Sequence, residues 1–341
     1  MKKWLGIVLV CGFLAGCGRM QLEDRLLVVS LAVDPTPEGK LALTIQAPNA
    51  VQASGASEKD SSQGAAGHTL ITVEGENWQA LSDALEERSP HALSFAQLRQ
   101  IIVSQDLAES ESFAPLIHSI SAEHQVRTNA QVVVTPDSGL KFLQKQKPDV
   151  GQHLGKYLDT VLKNQITKDN VPNAALALAV RDWQNSGKDP PLMMAQVDKE
   201  GKITYLGAAL TCRGRMVGVL TAEETRLLAL LEGGGQAITL SLGENLWTEV
   251  TARAGARVKI SGEHADIKLT VTAYAPAGKI ITAVQVEEAL QHKLEALLHK
   301  LQAANSDAAG LERHTLQASW AFAEAIVSVR VKAQVVIRQG N

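Results

Sequence analysis

The sequence predicts a multi-domain α+β protein, a mixed α/β scaffold whose last part is a largely antiparallel sheet with one long helix packed on one face. Two patterns carry that expectation most directly. Ile267, Leu269, Val271 and Ala273 alternate with Asp266, Lys268, Thr270 and Thr272. Val327, Val329, Val331, Ala333, Val335 and Ile337 likewise alternate with Ser328, Arg330, Lys332, Gln334 and Arg338. A period of two with one polar side describes a strand with one wet face. Between the two stretches, Val286, Leu290, Leu294, Leu297, Leu298 and Leu301 fall on one side of a long helix, the stripe that an amphipathic helix buries. Glu287 and Glu288 near its start and His299 and Lys300 near its end suit the helix dipole. Laying that helix across the sheet is the simplest way to bury both apolar surfaces.

Earlier in the chain, strand and helix periods alternate. Leu26 to Val33 is a nearly continuous apolar run closed by Asp34-Pro35, and Leu41 to Ile45 follows a turn, which predicts a buried hairpin. Residues 49–67 fall to Ser, Ala, Gly and Gln around Glu58-Lys59-Asp60, too poor in large apolar side chains to bury themselves, and are expected to form a mobile loop. A strand from His68 to Val73 follows, then a helix with Trp78, Leu81 and Leu85 on one face, then a strand from Gln100 to Ser104. Pro115 suits the first turn of a short helix, and Ala130 to Thr135 is a strand closed by the turn Pro136-Asp137-Ser138-Gly139. From Gly151 to Ile166, Leu154, Leu158, Val161 and Leu162 form another amphipathic stripe. Asn185 to Pro191, with a glycine and two prolines, is the expected hinge. Ile203 to Thr211 and Arg215 to Val219 read as strands paired across Cys212-Arg213-Gly214. Thr221 with Glu224 forms a capping box ahead of Leu227, Leu228 and Leu231, and Gly233 is placed to end that helix.

The amino terminus carries a separate signal. Lys2 and Lys3 precede about ten mostly apolar residues, Trp4 to Phe13, far fewer than the ~20 a membrane-crossing helix needs. They read as the core of an export leader. Leu14-Ala15-Gly16-Cys17 directly behind them is the pattern of a lipoprotein cleavage site, where the Cys17 thiol accepts a diacylglyceryl group. The alternative is an ordinary secretory leader with an incidental cysteine. Removal of residues 1–16 leaves about 325 residues, enough for two or three domains. The expected division is leader 1–16, an N-terminal α/β domain 17–187, a middle domain 192–240 and a C-terminal sheet-plus-helix domain 241–341.

Composition narrows the function. Losing Lys2 and Lys3 takes the formal charge from −3 to −5, with no basic tract, which argues against electrostatic capture of nucleic acid. Of three cysteines, Cys11 leaves with the leader and Cys17 is alkylated, so Cys212 stands alone and no intramolecular disulfide can form. Aromatic residues make up only 4% of the chain, so the core must rest on aliphatic side chains. The nine histidines show no metal-ligand spacing: His118, Glu123 and His124 read as a solvated helix end, and His292 and His299, with Glu288 and Glu295, as a wet helix flank. No Gly-x-Ser-x-Gly elbow or phosphate-binding loop is present, and Gly233-Gly234-Gly235 reads as a helix stop. Cys212 lacks a nearby histidine and reads as a structural thiol. Arg213 and Arg215 flank a turn, where solvation is the default and an acidic partner the alternative. The expectation is a protein without catalytic residues, metal or cofactor.

Taken in order, several stretches resemble the Ger(x)C family of spore germination lipoproteins. They are Leu14 to Cys17; Leu26 to Asp34; Ser89 to Arg99 running into Gln100 to Ala108; Lys188-Asp189-Pro190-Pro191-Leu192; Gly207 to Leu210 with Val217 to Arg226; and Val336 to Gly340. Two places depart from the family pattern. Gly18-Arg19-Met20-Gln21 stands where a Trp-Asp pair usually follows the cysteine, and Asn305 to Trp320 is shortened, keeping Asp307-Ala308-Ala309-Gly310. The resemblance implies a three-domain mixed α/β scaffold and a non-enzymatic signalling role. It would be the C subunit of a nutrient germinant receptor, lipid-anchored through Cys17 on the outer face of the spore inner membrane. Its partners would be a multi-spanning A subunit and a transporter-like B subunit, with direct contact to the germinant left open. A solute-binding lipoprotein of an import system and a lipid-anchored envelope hydrolase are the competing readings. The first lacks the repeated two-lobed βαβ pattern, the second a nucleophile or metal set.

Overall fold

The computed structural model of the protein describes residues 25–48, 68–147, 154–168, 170–184, 187–233, 238–241, 249–275, 281–315 and 320–337. The leader, Cys17 and the stretch 49–67 lie outside the described residues, as do residues 151–153, Asn185, Ser186, Gly234, Gly235 and residues 338–341.

The apolar run at the start of the described chain serves two sheets. β1 (Arg25–Leu27) pairs with β5 (Ala92–Ser94), whereas β2 (Ser30–Pro35) forms the expected antiparallel hairpin with β3 (Leu41–Pro48). The switch is visible in the backbone, where the Val28 amide donates to Ser94 and the Val29 amide to Gln46. β4 (His68–Gly75) adds an edge, and α1 (Trp78–Arg88) buries Trp78, Leu81 and Leu85 as its spacing requires. β6 (Gln100–Ser104) and β7 (Gln131–Thr135) are buried along their whole length, the signature of parallel strands covered on both faces. Between them run α2 (Gln105–Ala108) and α3 (Phe113–Ala122). α4 (Gly139–Lys145), α5 (Leu154–Thr167) and α6 (Leu176–Gln184) lead to β8 (Leu192–Val197). β9 (Ile203–Cys212) and β10 (Arg215–Thr221) then make the second hairpin. The eight-stranded sheet has the order β10-β9-β8-β7-β6-β2-β3-β4, four parallel strands at its centre and an antiparallel pair at each end. The segment leading out of Gly187 thus feeds a strand that continues this sheet.

α7 (Ala222–Leu231) starts at the Thr221–Glu224 capping box. β11 (Ile238–Ser241), β12 (Glu249–Ser261), β13 (His264–Ala275) and β14 (Ile326–Ile337) form the C-terminal sheet in that order. Two of its three pairings are antiparallel, and β13 and β14 run parallel because α8 (Ala283–Ala303) carries the chain back between them. α8 buries all six residues of its apolar stripe, and Thr282 with Gln285 forms a second capping box.

Two apolar cores result, and β9 is the wall between them. Ala209 packs into the first core, while Ala208 and Leu210 pack into the second with α7, α8 and the inner side of β13. Alternation along one strand hands successive side chains to opposite sides. On β10, Met216 joins the first core and Leu220 the second. The wall is thin at Gly207, whose φ is +130°; a β-carbon there would sit 2.1 Å from the Leu220 carbonyl oxygen.

Candidate functional site: a polar junction beside the two cores

At the turn joining β9 to β10, three fragments that stand apart in the sequence come together: Lys188-Asp189, Cys212-Arg213 and Asp307 to Gly310. Thr211 anchors the group. Its hydroxyl donates to the Pro190 carbonyl at 2.8 Å, and its own carbonyl accepts from the Ser306 hydroxyl at 2.7 Å. Asp189 and Asp307 then exchange bonds: the Asp307 amide donates to Asp189 Oδ2 at 3.0 Å, and the Asp189 amide donates to the Asp307 carbonyl at 3.1 Å. The second oxygen of Asp189 accepts from the Arg213 amide at 3.1 Å. Asp307 is the hub of a 3₁₀ turn, Leu311–His314, its carboxylate accepting from the amides of Leu311 (2.9 Å) and Glu312 (2.8 Å). Gly310, at φ +69°, makes the bend that turns these amides back.

Asp182 sits one turn away on α6 and is buried. Its Oδ1 meets the guanidinium of Arg181 from its own helix and Nη2 of Arg313 from the 3₁₀ turn, each at 2.7 Å. Gly187 lets the chain pass here, since at φ +108° a side chain would be strained and would press against Arg313 at 3.1 Å. Lys188 spans to Glu232 beyond α7 at 2.5 Å. The result is a cleft of about 280 Å³ whose charged lining includes Asp182, Lys188, Asp189, Arg213, Asp307 and Glu312.

Burial dominates the electrostatics. It pushes the Asp307 carboxyl up to about 6, against the pull of the Glu312 and Leu311 amides and with help from the neighbouring Glu312 and Asp189 charges. It raises Asp189 as well, outweighing the Arg213 and Asp307 amides. The Cys212 thiol, also in the lining, is pushed up by burial and then by the Asp189 charge, so the thiolate that a nucleophile or metal ligand needs is disfavoured. Each of the three aspartates is spent on backbone amides or guanidinium groups. This is the chemistry of a clamp holding the 305–313 segment against α6 and the β9–β10 turn.

The remaining candidate residues are elsewhere. Arg215 donates Nε to the Glu109 carbonyl at 3.0 Å and pairs with Glu111 at 3.4 Å, tying the β10 start to the end of α2. His118 stacks obliquely near Trp183, with ring centres 6.2 Å apart, and His124 is exposed beyond α3. His292 and His299 are exposed on α8, and Glu295 accepts from Gln291 at 3.0 Å. Among the described residues no group of His, Cys, Asp or Glu is arranged to hold a metal ion. Gly233, at φ +73°, follows the last turn of α7 as expected of a helix stop. Sequence reasoning missed Asp182 and Arg313. Asp182 had one usable signal, an acid three residues after Ala179 on the apolar face of a helix; Arg313 had none.

Residues 18–197 match the family model described as the spore germination protein N-terminal domain, and residues 206–340 match the model described as spore germination B3/GerAC-like, C-terminal. A relative, the spore germination protein GerQC of Bacillus cereus, is 23% identical over 233 residues, which is 68% of this chain but only 61% of that protein. The crystal structure of the GerBC protein aligns over 90% of this chain and 96% of its own with a TM-score of 0.55 at 16% identity, which establishes a shared fold. The clamp bridges both matched regions, with Asp182 and Asp189 in the first and Arg213, Asp307 and Arg313 in the second.

Proposed function

This chain belongs to the Ger(x)C family of spore germination proteins, and from that premise we propose that it is the lipid-anchored C subunit of a nutrient germinant receptor, acting in receptor assembly and germination signalling without catalysis. The observation that carries the reading is the back-to-back match of the two family domains, beginning at residue 18, directly after the lipoprotein-type cysteine. Two acyl chains on Cys17 would hold the folded body at a membrane surface, since each buried methylene contributes roughly 0.8 kcal/mol and a single chain gives only reversible attachment. Among the described residues no helix is long and apolar enough to cross a membrane. Confinement at the membrane raises the effective concentration near the multi-spanning A and B subunits, so modest interfaces suffice. The clamp suits a rigid assembly part, because it holds the 305–313 segment that follows α8 against α6 and the β9–β10 turn through charged groups that are already paired.

The test is Cys17→Ala in the native organism. The variant should leave the membrane fraction, and nutrient-triggered germination should fall while germination by non-nutrient triggers persists. Unchanged fractionation together with unchanged nutrient germination would reject the proposal.

A further inference from the structure

The outer face of the C-terminal sheet is a basic plate. In the register of β12, β13 and β14, Arg257 stands opposite Lys268 and Lys268 opposite Arg330. Neighbouring strands lie about 4.8 Å apart, so three cations form one row across three strands. Lys259 and Lys332 flank that row on the same face, and all five are exposed. Asp266 is the carboxylate nearest the row, directly opposite Lys259 in register, while Glu249 stands at the far start of β12. Asp266 accepts from the Ser328 hydroxyl at 2.6 Å and lies 3.9 Å from Arg330. Among the described residues no carboxylate lies within 4 Å of the charged groups of Arg257, Lys259, Lys268 or Lys332, and the one acid beside them, Asp266 opposite Lys259, offsets a single charge of the five. This concentration sits on a chain whose formal charge is −3.

Like charges directly opposite on a sheet destabilise it, and folding does not require them here. The same strands are held by their other side, where Ile267, Leu269, Val271, Val329 and Val331 are buried. The positions between the cations are Gly255, Thr270 and Thr272. The centre of the plate therefore has no aromatic or large apolar group to anchor a protein hot spot, and the two rings of this face, His264 and Tyr274, stand at opposite ends of β13, too far apart to stack successive bases. The exposed apolar residues Ile326 and Val336 lie at its two ends. A flat array of cations without a central anchor suits a partner that is itself extended, fluid and negatively charged.

We propose that this face, Arg257, Lys259, Lys268, Arg330 and Lys332, rests on an anionic phospholipid surface. The contact is independent of the acyl anchor and is tested without it. Full-length chain carrying Cys17→Ser is mixed with vesicles of phosphatidylcholine alone or with added phosphatidylglycerol, and bound protein is measured by co-sedimentation. Binding should rise with phosphatidylglycerol and fall with added salt. The combination Arg257→Gln, Lys268→Gln and Arg330→Gln should reduce the anionic increment on the order of a hundred-fold, at roughly five-fold per cation. Lys40→Gln, Lys156→Gln and Lys199→Gln, an equal charge change at exposed lysines elsewhere, should leave it in place. Equal binding to both vesicle types, or equal loss in both triple variants, would overturn the proposal. Neither outcome bears on acylation of Cys17, which is absent from every sample.

Discussion

Asp307 shows at the scale of one residue how the clamp is balanced. Its carboxyl is held near 6 by burial, although two amides favour the charged form. In the unfolded chain an aspartate titrates near 3.9. The folded protein therefore keeps a proton that the unfolded chain has released, and the associated stability is fully present below about 3.9 and is lost as pH rises to about 6. A shift of about two units corresponds to roughly 3 kcal/mol. Other carboxylates pull the opposite way: at Glu224, burial is outweighed by the Lys300 ammonium and the Thr221 amide, and the group sits below its ordinary value. The difference between wild type and Asp307→Asn isolates the effect. Urea midpoints measured from pH 4 to 7 should show the variant losing relative stability at the acid end of that range and little further change above pH 6; a parallel pair of curves would refute the assignment.

Among the elements, α4 depends on a residue far away in sequence. Its first amides, Gly139 and Leu140, and the Ser138 hydroxyl all donate to the Asp34 carboxylate at 2.7 to 2.9 Å. Asp34→Ala should cost about 1–3 kcal/mol by leaving these donors unpaired, and Asp34→Asn less; equilibrium denaturation that finds both variants as stable as wild type would show the cap to be idle. This cap also marks where sequence reading stops. The box at Thr221 and the leucine stripe of α8 involve partners three or four residues apart, and the sequence displays them. Asp34 is legible only as the end of a strand, because its partners lie more than a hundred residues on. α6 has a legible stripe in Leu176, Ala179 and Val180, broken by the buried Asp182, whereas β12 is faint because Ala254 and Ala256 on its inner face are too small to raise a strong alternation. The clamp was visible only as fragments: Lys188-Asp189, Cys212-Arg213 and Asp307 to Gly310 each stand out locally, but their meeting is set by where the β9–β10 turn emerges from the sheet.

Across the whole molecule, the two cores are coupled in two ways that can be separated. One is the shared wall, where Ala208, Ala209 and Leu210 face alternate sides of β9. The other is the clamp, where Asp189 holds Asp307 and Asp182 holds Arg313. The wall is apolar and cannot be altered without damaging both cores, whereas Asp189→Ala with Arg313→Ala removes clamp bonds and leaves every core side chain in place. Asp182 keeps Arg181 in that variant, so no buried charge is stranded. The loss should be roughly 2–4 kcal/mol, the sum of a few charge-assisted hydrogen bonds. If the clamp supplies the coupling, that loss should fall unevenly: calorimetry of the variant should resolve two transitions where the wild type shows one. Amide exchange should quicken in β13 and β14 while β6 and β7, buried along their length, keep their protection. Uniformly faster exchange under a single shifted transition would instead assign the coupling to the β9 wall alone, and would leave the clamp as a stabiliser of the 305–313 segment rather than a link between the halves.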